Sequence, residues 1–282
     1  MIWLRGSHSF ALTMDDGAFD TIDMARMGTG NKKFDKAVCR HAIGANPNSS
    51  ACGQAVDTNV VIQKGHVIEG EIHCIVPLPI NYAKLMDARE KSGLVDSIVL
   101  SKAAIAATNG MAKFPNDDFA HKQEHMYGAR PEVWGIFTCE NLDPNTGAVC
   151  EDVPQLSLQS FVNKYVNSTG PINMLLIDTE GSDFDVLFGA GDVLDRTEYL
   201  EFEYHEVGSW SNYHIMDAVN LLDQKQFTCY WLGDEELWRI TGCYIGYYDL
   251  IHQWSNVGCV HRSQKELASV METAFQETLQ KY

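Results

Sequence analysis

The sequence predicts an α/β fold: a mostly parallel sheet with helices on both faces and an antiparallel edge strand. Three observations carry this. From residue 37 to residue 205, apolar runs of strand length alternate with amphipathic stretches of helix length. The run Met174-Leu175-Leu176-Ile177 is continuous rather than alternating, as in a strand buried on both faces. Segments 227–232 and 242–248 follow each other with no helix between them, which predicts an antiparallel pair closing the sheet.

The stretch 172–205 organises the rest. Strand 172–177 stops at Asp178, Glu180 and Gly181; a helix over 182–195 follows, with Ser182 as N-cap; a strand over 198–205 ends on Glu203 and His205. Ligands of open α/β sheets bind beyond the carboxyl ends of the strands. Asp178, Glu180, Glu203 and His205 are therefore expected together at one edge.

The other elements follow in order. Phe10, Leu12 and Met14 alternate before the turn signal Asp15-Asp16-Gly17. Residues 37–43 predict a strand, Gly44-Ala45-Asn46-Pro47 a turn, and 49–62 a helix whose free N–H groups suit an anion. Ile72, Cys74 and Val76 alternate as a strand ended by Pro77 and Pro79. Residues 81–91 predict a helix with an Asp87–Lys91 pair and Gly93 at its C-terminus. A strand over 95–100 precedes a hairpin turning at Asn109-Gly110. Residues 115–150 predict a long loop, and 154–166 and 215–224 predict helices. Ser263-x-x-Glu266 is a capping box opening a final helix.

With 282 residues, 45% of them hydrophobic, the chain can build one large domain, with or without an extension. A net charge of −17 with no long basic run argues against nucleic acid and anionic membranes as partners. The eight cysteines contain no CxxC pair and so no zinc-ribbon pattern. Cys39, Cys74 and Cys229 fall in predicted strands, where a free thiol acts as a small hydrophobe; the even count leaves disulfides open. The first residues lack an apolar h-region, and no window approaches ~20 apolar residues. The expectation is a cytoplasmic rather than secreted protein without a membrane span, although residue 1 can equally be a fragment boundary. Oligomeric state is not legible.

The segment Ile172-Asn173-Met174-Leu175-Leu176-Ile177-Asp178-Thr179-Glu180-Gly181-Ser182-Asp183, continued by Leu187, Gly189 and Ala190, resembles the FkbM family of S-adenosylmethionine-dependent O-methyltransferases. Glu201-Phe202-Glu203-Tyr204-His205 is similar to that family's next strand, and Cys74-Ile75-Val76-Pro77-Leu78-Pro79 to its E-P-x-P segment. The resemblance implies a Rossmann-like doubly wound methyltransferase sheet over 37–262, between an N-terminal extension (1–36) and a C-terminal helix (263–282). It implies S-adenosylmethionine held by Gly44, Ala45, Asn46, Val76, Pro77 and Asp178. The family's D-x-G-A-N-x-G turn falls on 42–48, where Ala42 replaces the aspartate and Asn48 the second glycine; Val76 replaces the acid that holds the ribose. A turn at Asp15-Asp16-Gly17-Ala18 ranks second, because its distance from Val76 is long for a βαβ unit.

Methyl transfer to a hydroxyl of a small molecule or glycan needs in-line positioning and benefits from a base. Asp178 and His205 are the candidates for the base, and Glu180 completes the catalytic set. Trp210, Trp231, Trp238 and Trp254 are candidates to line a cleft, although aromatics also build cores. The departures at Ala42, Asn48 and Val76 motivate a second expectation, a methyltransferase-like binding module without activity. A remote third is a zinc hydrolase using His121 and His125 of an H-x-x-E-H segment. That segment lies in a turn-rich loop without an evident third ligand, so no metal is expected.

Overall fold

The computed structural model describes residues 9–14, 70–96, 98–115, 138–141, 147–179, 181–206, 208–233, 236–244, 246, 249 and 255–281. Their strands are β1 (Ser9–Met14), β2 (Gly70–Ile75), β3 (Ile98–Ser101), β4 (Ala104–Ala106), β5 (Gly110–Pro115), β6 (Cys150–Ser157), β7 (Ile172–Ile177), β8 (Tyr199–Tyr204), β9 (Phe227–Gly233), β10 (Glu236–Arg239) and β11 (Ser255–His261). The helices are α1 (Pro79–Lys91), α2 (Leu158–Tyr165), α3 (Asp183–Phe188), α4 (Ile215–Gln224) and α5 (Lys265–Gln280).

The fold is mixed α/β. Eight strands form one sheet in the order β10-β9-β11-β8-β7-β1-β2-β3. From β3 to β8 every pairing is parallel. From β8 to β10 every pairing is antiparallel. The antiparallel part is thus three strands rather than the single edge strand expected. β11, which the sequence reading passed over, inserts between β8 and β9. Of residues 242–248, expected as a strand, Gly242 and Cys243 lie in a turn that begins at Thr241, and the hairpin partner of β9 is β10. Gly258 lets β11 fit: a Cβ there would lie 2.5 Å from the Tyr199 hydroxyl.

β1 sits at the centre of the sheet, between β2 and β7. The sequence predicts an extension over 1–36 and a sheet that starts at residue 37, whereas β1 lies within 1–36; residues 37–43 lie outside the described residues. The apolar core packs α2, α3 and α4 on one face, through Phe161, Leu187 and Val219 against Leu175, Phe202 and Cys229. α5 covers the other face, with Met271 and Phe275 against Tyr230 and Val260. Cys229 and Tyr230 are neighbours on β9 and so point to opposite faces, which places helices on both.

A second sheet has the order β4-β6-β5. The predicted hairpin at Asn109-Gly110 therefore does not close on itself, because β6 enters between its arms. Asn109 ties the insertion: its Oδ1 accepts the Ser157 N–H at 2.8 Å, and its Nδ2 donates to Ser160 Oγ at 3.0 Å. β6 also replaces the first turn of the helix expected from residue 154. Pro154 is tolerated because it pairs only with Met111 of β5, while β4 pairs from Gln155 onward. α2 starts at Leu158, capped by Ser157, whose hydroxyl accepts the Ser160 N–H.

Other local signals hold. Lys91 pairs with Asp87 at 2.6 Å, and Gly93 takes a φ of +69° after α1. The capping box at Ser263 does not form: Ser263 Oγ lies 2.6 Å from His261 Nδ1, and α5 begins after Gln264. Among the described residues no helix is long and apolar enough to cross a membrane.

Cys229 is not a free thiol. It is bonded to Cys259, its direct partner across β9 and β11, and Cys139 is bonded to Cys150. The Cys229–Cys259 link closes a sequence separation of 30 residues. Replacing both cysteines by alanine should lower unfolding free energy by about 3–4 kcal/mol on the chain-entropy account. Urea unfolding under non-reducing conditions checks this; an unchanged midpoint would show that the link adds nothing to the core.

Candidate functional site at the carboxyl edge of the parallel strands

Strand order reverses in sequence at β1: β2 and β3 lie on one side, β7 and β8 on the other. Such a switch point is where open α/β sheets leave a crevice. Asp178 follows directly on β7 at this point and is half-buried. The last pairing of β7 with β8 is Ile177–Phe202, so the register continued by one residue brings Asp178 level with Glu203. His205 follows two residues further along the same strand end.

His205 is 0% exposed. Burial pushes its pKa down to about 4, so the imidazole is neutral near pH 7. Neutrality was expected, but a pKa this low gives little affinity for a proton at neutral pH, and the side chain is enclosed. Both features suit a structural histidine better than a base. Glu180, Gly44, Ala45 and Asn46 lie outside the described residues, as do Trp254, His121 and His125. Among the described residues no cluster of histidine, cysteine and carboxylate groups could hold a metal.

Val76 and Pro77 do follow β2 at the same edge. Val76 is 0% exposed, and its N–H donates to the Ser101 carbonyl at 3.0 Å. Its side chain is part of the core, so an acid at this position would be buried. Trp210 is core as well, stacked on Phe202 and edge-on to Tyr204; Trp231 and Trp238 are half-buried.

Two features of the edge went unassigned in the sequence. The first is Asp183, at the start of α3 and fully buried. Its Oδ2 accepts the Gly181 N–H and the Thr179 hydroxyl, both at 3.2 Å. Burial, then the charge of Glu203, pushes its pKa up to about 7. Asp183 matches the family pattern, but one sequence does not distinguish a buried acid from an exposed one in a first helical turn. The expected N-cap bond from the Ser182 side chain is absent. The second feature is the 3-10 turn Gly208–Ser211 after β8. Ser209 donates its N–H and its hydroxyl to the Gly181 carbonyl, at 2.6 and 2.7 Å. Gly208 approaches so closely that a Cβ on it would lie 2.3 Å from that carbonyl oxygen.

A crevice of about 220 Å³ opens at the other end of the strands, lined by Arg196, Thr197 and His261 among others. Its charges are largely engaged with one another or with nearby side chains, as in Lys225–Asp195 and Gln264–Glu198. It is remote from the switch point.

Asp183 and His205 make opposite contributions to stability against pH. The Asp183 pKa is raised in the folded state, so its contribution is full below about pH 4 and lost as pH rises through about 7. The His205 pKa is lowered, so its contribution is present above about 6.5 and lost as pH falls through about 4. Asp183→Asn keeps an acceptor for Gly181 and Thr179 and removes the buried charge. Its melting temperature should match the wild type near pH 4 and exceed it near pH 8. Parallel melts across that range check this; a variant less stable than wild type at pH 8 would contradict the buried-charge assignment.

The Methyltransferase FkbM domain family matches residues 42–227, about two thirds of the chain. The match starts at Ala42, so it includes Gly44, Ala45 and Asn46 and leaves β1 outside. No curated protein sequence matches. Among solved structures, a candidate methyltransferase from Streptococcus mutans in complex with SAH is similar at a TM-score of 0.39 and 11% identity, over 91% of this chain and 89% of that one. A human methyltransferase 10 domain containing protein is similar at a TM-score of 0.34 and 6% identity, over 91% of this chain and 73% of that one. The sheet order and the Asp178 edge stand without these two likenesses, and on its sequence the chain belongs to the FkbM methyltransferase family.

Proposed function

We propose that this protein is an S-adenosylmethionine-dependent O-methyltransferase acting on a hydroxyl of a small molecule or glycan. The observation that carries the proposal is the place of Asp178: a half-buried acid on the end of a central parallel strand, at the reversal of strand order, in a chain of this family. The run β3-β2-β1-β7-β8 has the 3-2-1-4-5 pattern of a doubly wound Rossmann sheet, which supports the Rossmann-like assignment.

The residues present fit such a cofactor. S-adenosylmethionine supplies an electrophilic methyl group on a cationic sulfonium. Asp178, Asp183 and Glu203 make this edge acidic, and Asp183 Oδ1 is buried with no hydrogen-bond partner among the described residues. An acidic edge favours a cationic ligand. Asp178 would orient the acceptor hydroxyl and take up the proton it loses as the new carbon–oxygen bond forms. Positioning supplies much of the rate.

Two turns compete to hold the cofactor. Gly44-Ala45-Asn46 is the one proposed, supported by a family match that starts at Ala42. The central place of β1 favours Asp15-Asp16-Gly17-Ala18, which follows it directly. Calorimetric titration with S-adenosylmethionine separates them. Gly44→Val should weaken binding more than about tenfold while Gly17→Val leaves it within about twofold, since only the turn beneath the ligand needs the close backbone approach. The reverse pattern would move the site to the β1 turn.

A binding module without activity is the second reading, favoured by Val76, which offers the ribose no acceptor and is buried besides. Binding of neither S-adenosylmethionine nor S-adenosylhomocysteine by a folded protein would support it and sink the first. If Asp178 works as proposed, Asp178→Asn should cut turnover by about 10²–10⁴ while leaving the melting temperature nearly unchanged. A stable variant with undiminished turnover would remove Asp178 from the site.

A further inference from the structure

Gly181 is gripped from two sides. Its N–H donates to Asp183 Oδ2, and its carbonyl accepts two hydrogen bonds from Ser209. Thr179 donates its hydroxyl to the same Asp183 oxygen. Gly181 takes a φ of +104°, and Gly208 packs on it more closely than any side chain would allow. The turn between β7 and α3, which begins with Asp178, is therefore closed at its far end by one buried carboxylate and one serine. A neutral amide would satisfy the same two donors. The cost of burying a charge with one bare oxygen is considerable, and packing does not require it.

Resting on the methyltransferase assignment above, we propose that Asp183 is a positioning residue: with Ser209 it clamps Gly181 and holds the turn bearing Asp178, and the clamp loosens when the carboxyl ionises. The enclosed site disfavours the charged carboxyl more than its two hydrogen bonds favour it, so ionisation promotes openings of the turn that return the group to water. Among the described residues, the charged group that acts on Asp183 is Glu203 of β8; the Gly208–Ser211 turn and β4 bring no charge, and α4 carries Asp217 and Asp223 without a resolved effect on it. Ionisation near neutral pH then couples the shape of the site to proton concentration. A cationic ligand at this edge would favour the ionised carboxyl and offset the loosening.

Hydrogen exchange on the full chain tests the clamp without any ligand, reading segments 178–184 and 208–211 after correction for intrinsic rates. In the wild type, both segments should be protected at about pH 6 and lose several-fold of that protection at about pH 8. Asp183→Asn should give protection independent of pH. Asp183→Ala should lose protection in both segments at pH 6, including 208–211, which Asp183 does not touch. Should Asp183→Ala fail to fold, the isosteric Asp183→Asn still decides. Wild-type protection that ignores pH, or a pH dependence that survives in Asp183→Asn, overturns the proposal. Calorimetry with S-adenosylhomocysteine runs beside it, with wild-type affinity expected to fall several-fold from pH 6 to pH 8 and that of Asp183→Asn to stay level. No binding at any pH would defeat the methyltransferase assignment and leave the exchange pattern to judge the clamp.

Discussion

The parallel pairing of β7 with β1 on one side and β8 on the other is the constraint on which the candidate site depends. β7 is enclosed by neighbours in the sheet, and Ile172, Met174, Leu175 and Ile177 are buried. A strand held this way has no freedom at its end. The direction of the chain at Asp178 is therefore fixed by the core rather than by the loop that follows, which is the firmer way to place a functional group. The loops add a second level of fixation, because the turns after β7 and β8 meet at Gly181 and Gly208 with only backbone between them.

How much of this was legible depended on how each strand is buried. β7 and β8 could be read because a parallel strand covered on both faces leaves a continuous apolar run or a strong alternation. β11 is equally buried at its centre, but Asn256 and Gly258 interrupt the pattern, and Gly258 is there to make room for Tyr199 rather than to signal a turn. β6 was hidden by Pro154 and the acids Glu151 and Asp152, which resemble a loop followed by a helix start. β1 alternates visibly, but nothing local says that it enters the middle of a sheet whose other members begin some sixty residues later. At the site, Asp178 was legible from its place after an apolar run. Asp183 and Ser209 were not, because their importance lies in bonds across two loops, and one sequence records no such pairing.

The edge also shows burial acting with opposite sign on two neighbouring titratable groups. Enclosure disfavours charge on both, so it raises the carboxyl of Asp183 and lowers the imidazole of His205. Near neutral pH the histidine contributes no charge, and among the described residues Asp178, Asp183 and Glu203 set the local field. This edge is thus polarised toward cations without a single metal-binding arrangement among the described residues.

The small sheet has an architectural consequence of its own. The chain leaves it at the end of β5 and re-enters at the start of β6, and Pro115 and Cys150 are direct cross-strand partners. The two ends of the intervening segment are therefore already stapled together by the ladder, and the Cys139–Cys150 bond ties its last part back to the point of return. Lengthening a loop whose ends are held costs little, about 0.6 kcal/mol for each doubling. The Pro115–Cys150 pairing is thus an insertion port: relatives of this chain could carry segments of quite different size between those two residues while the eight-stranded sheet, and the edge that bears Asp178, kept their register.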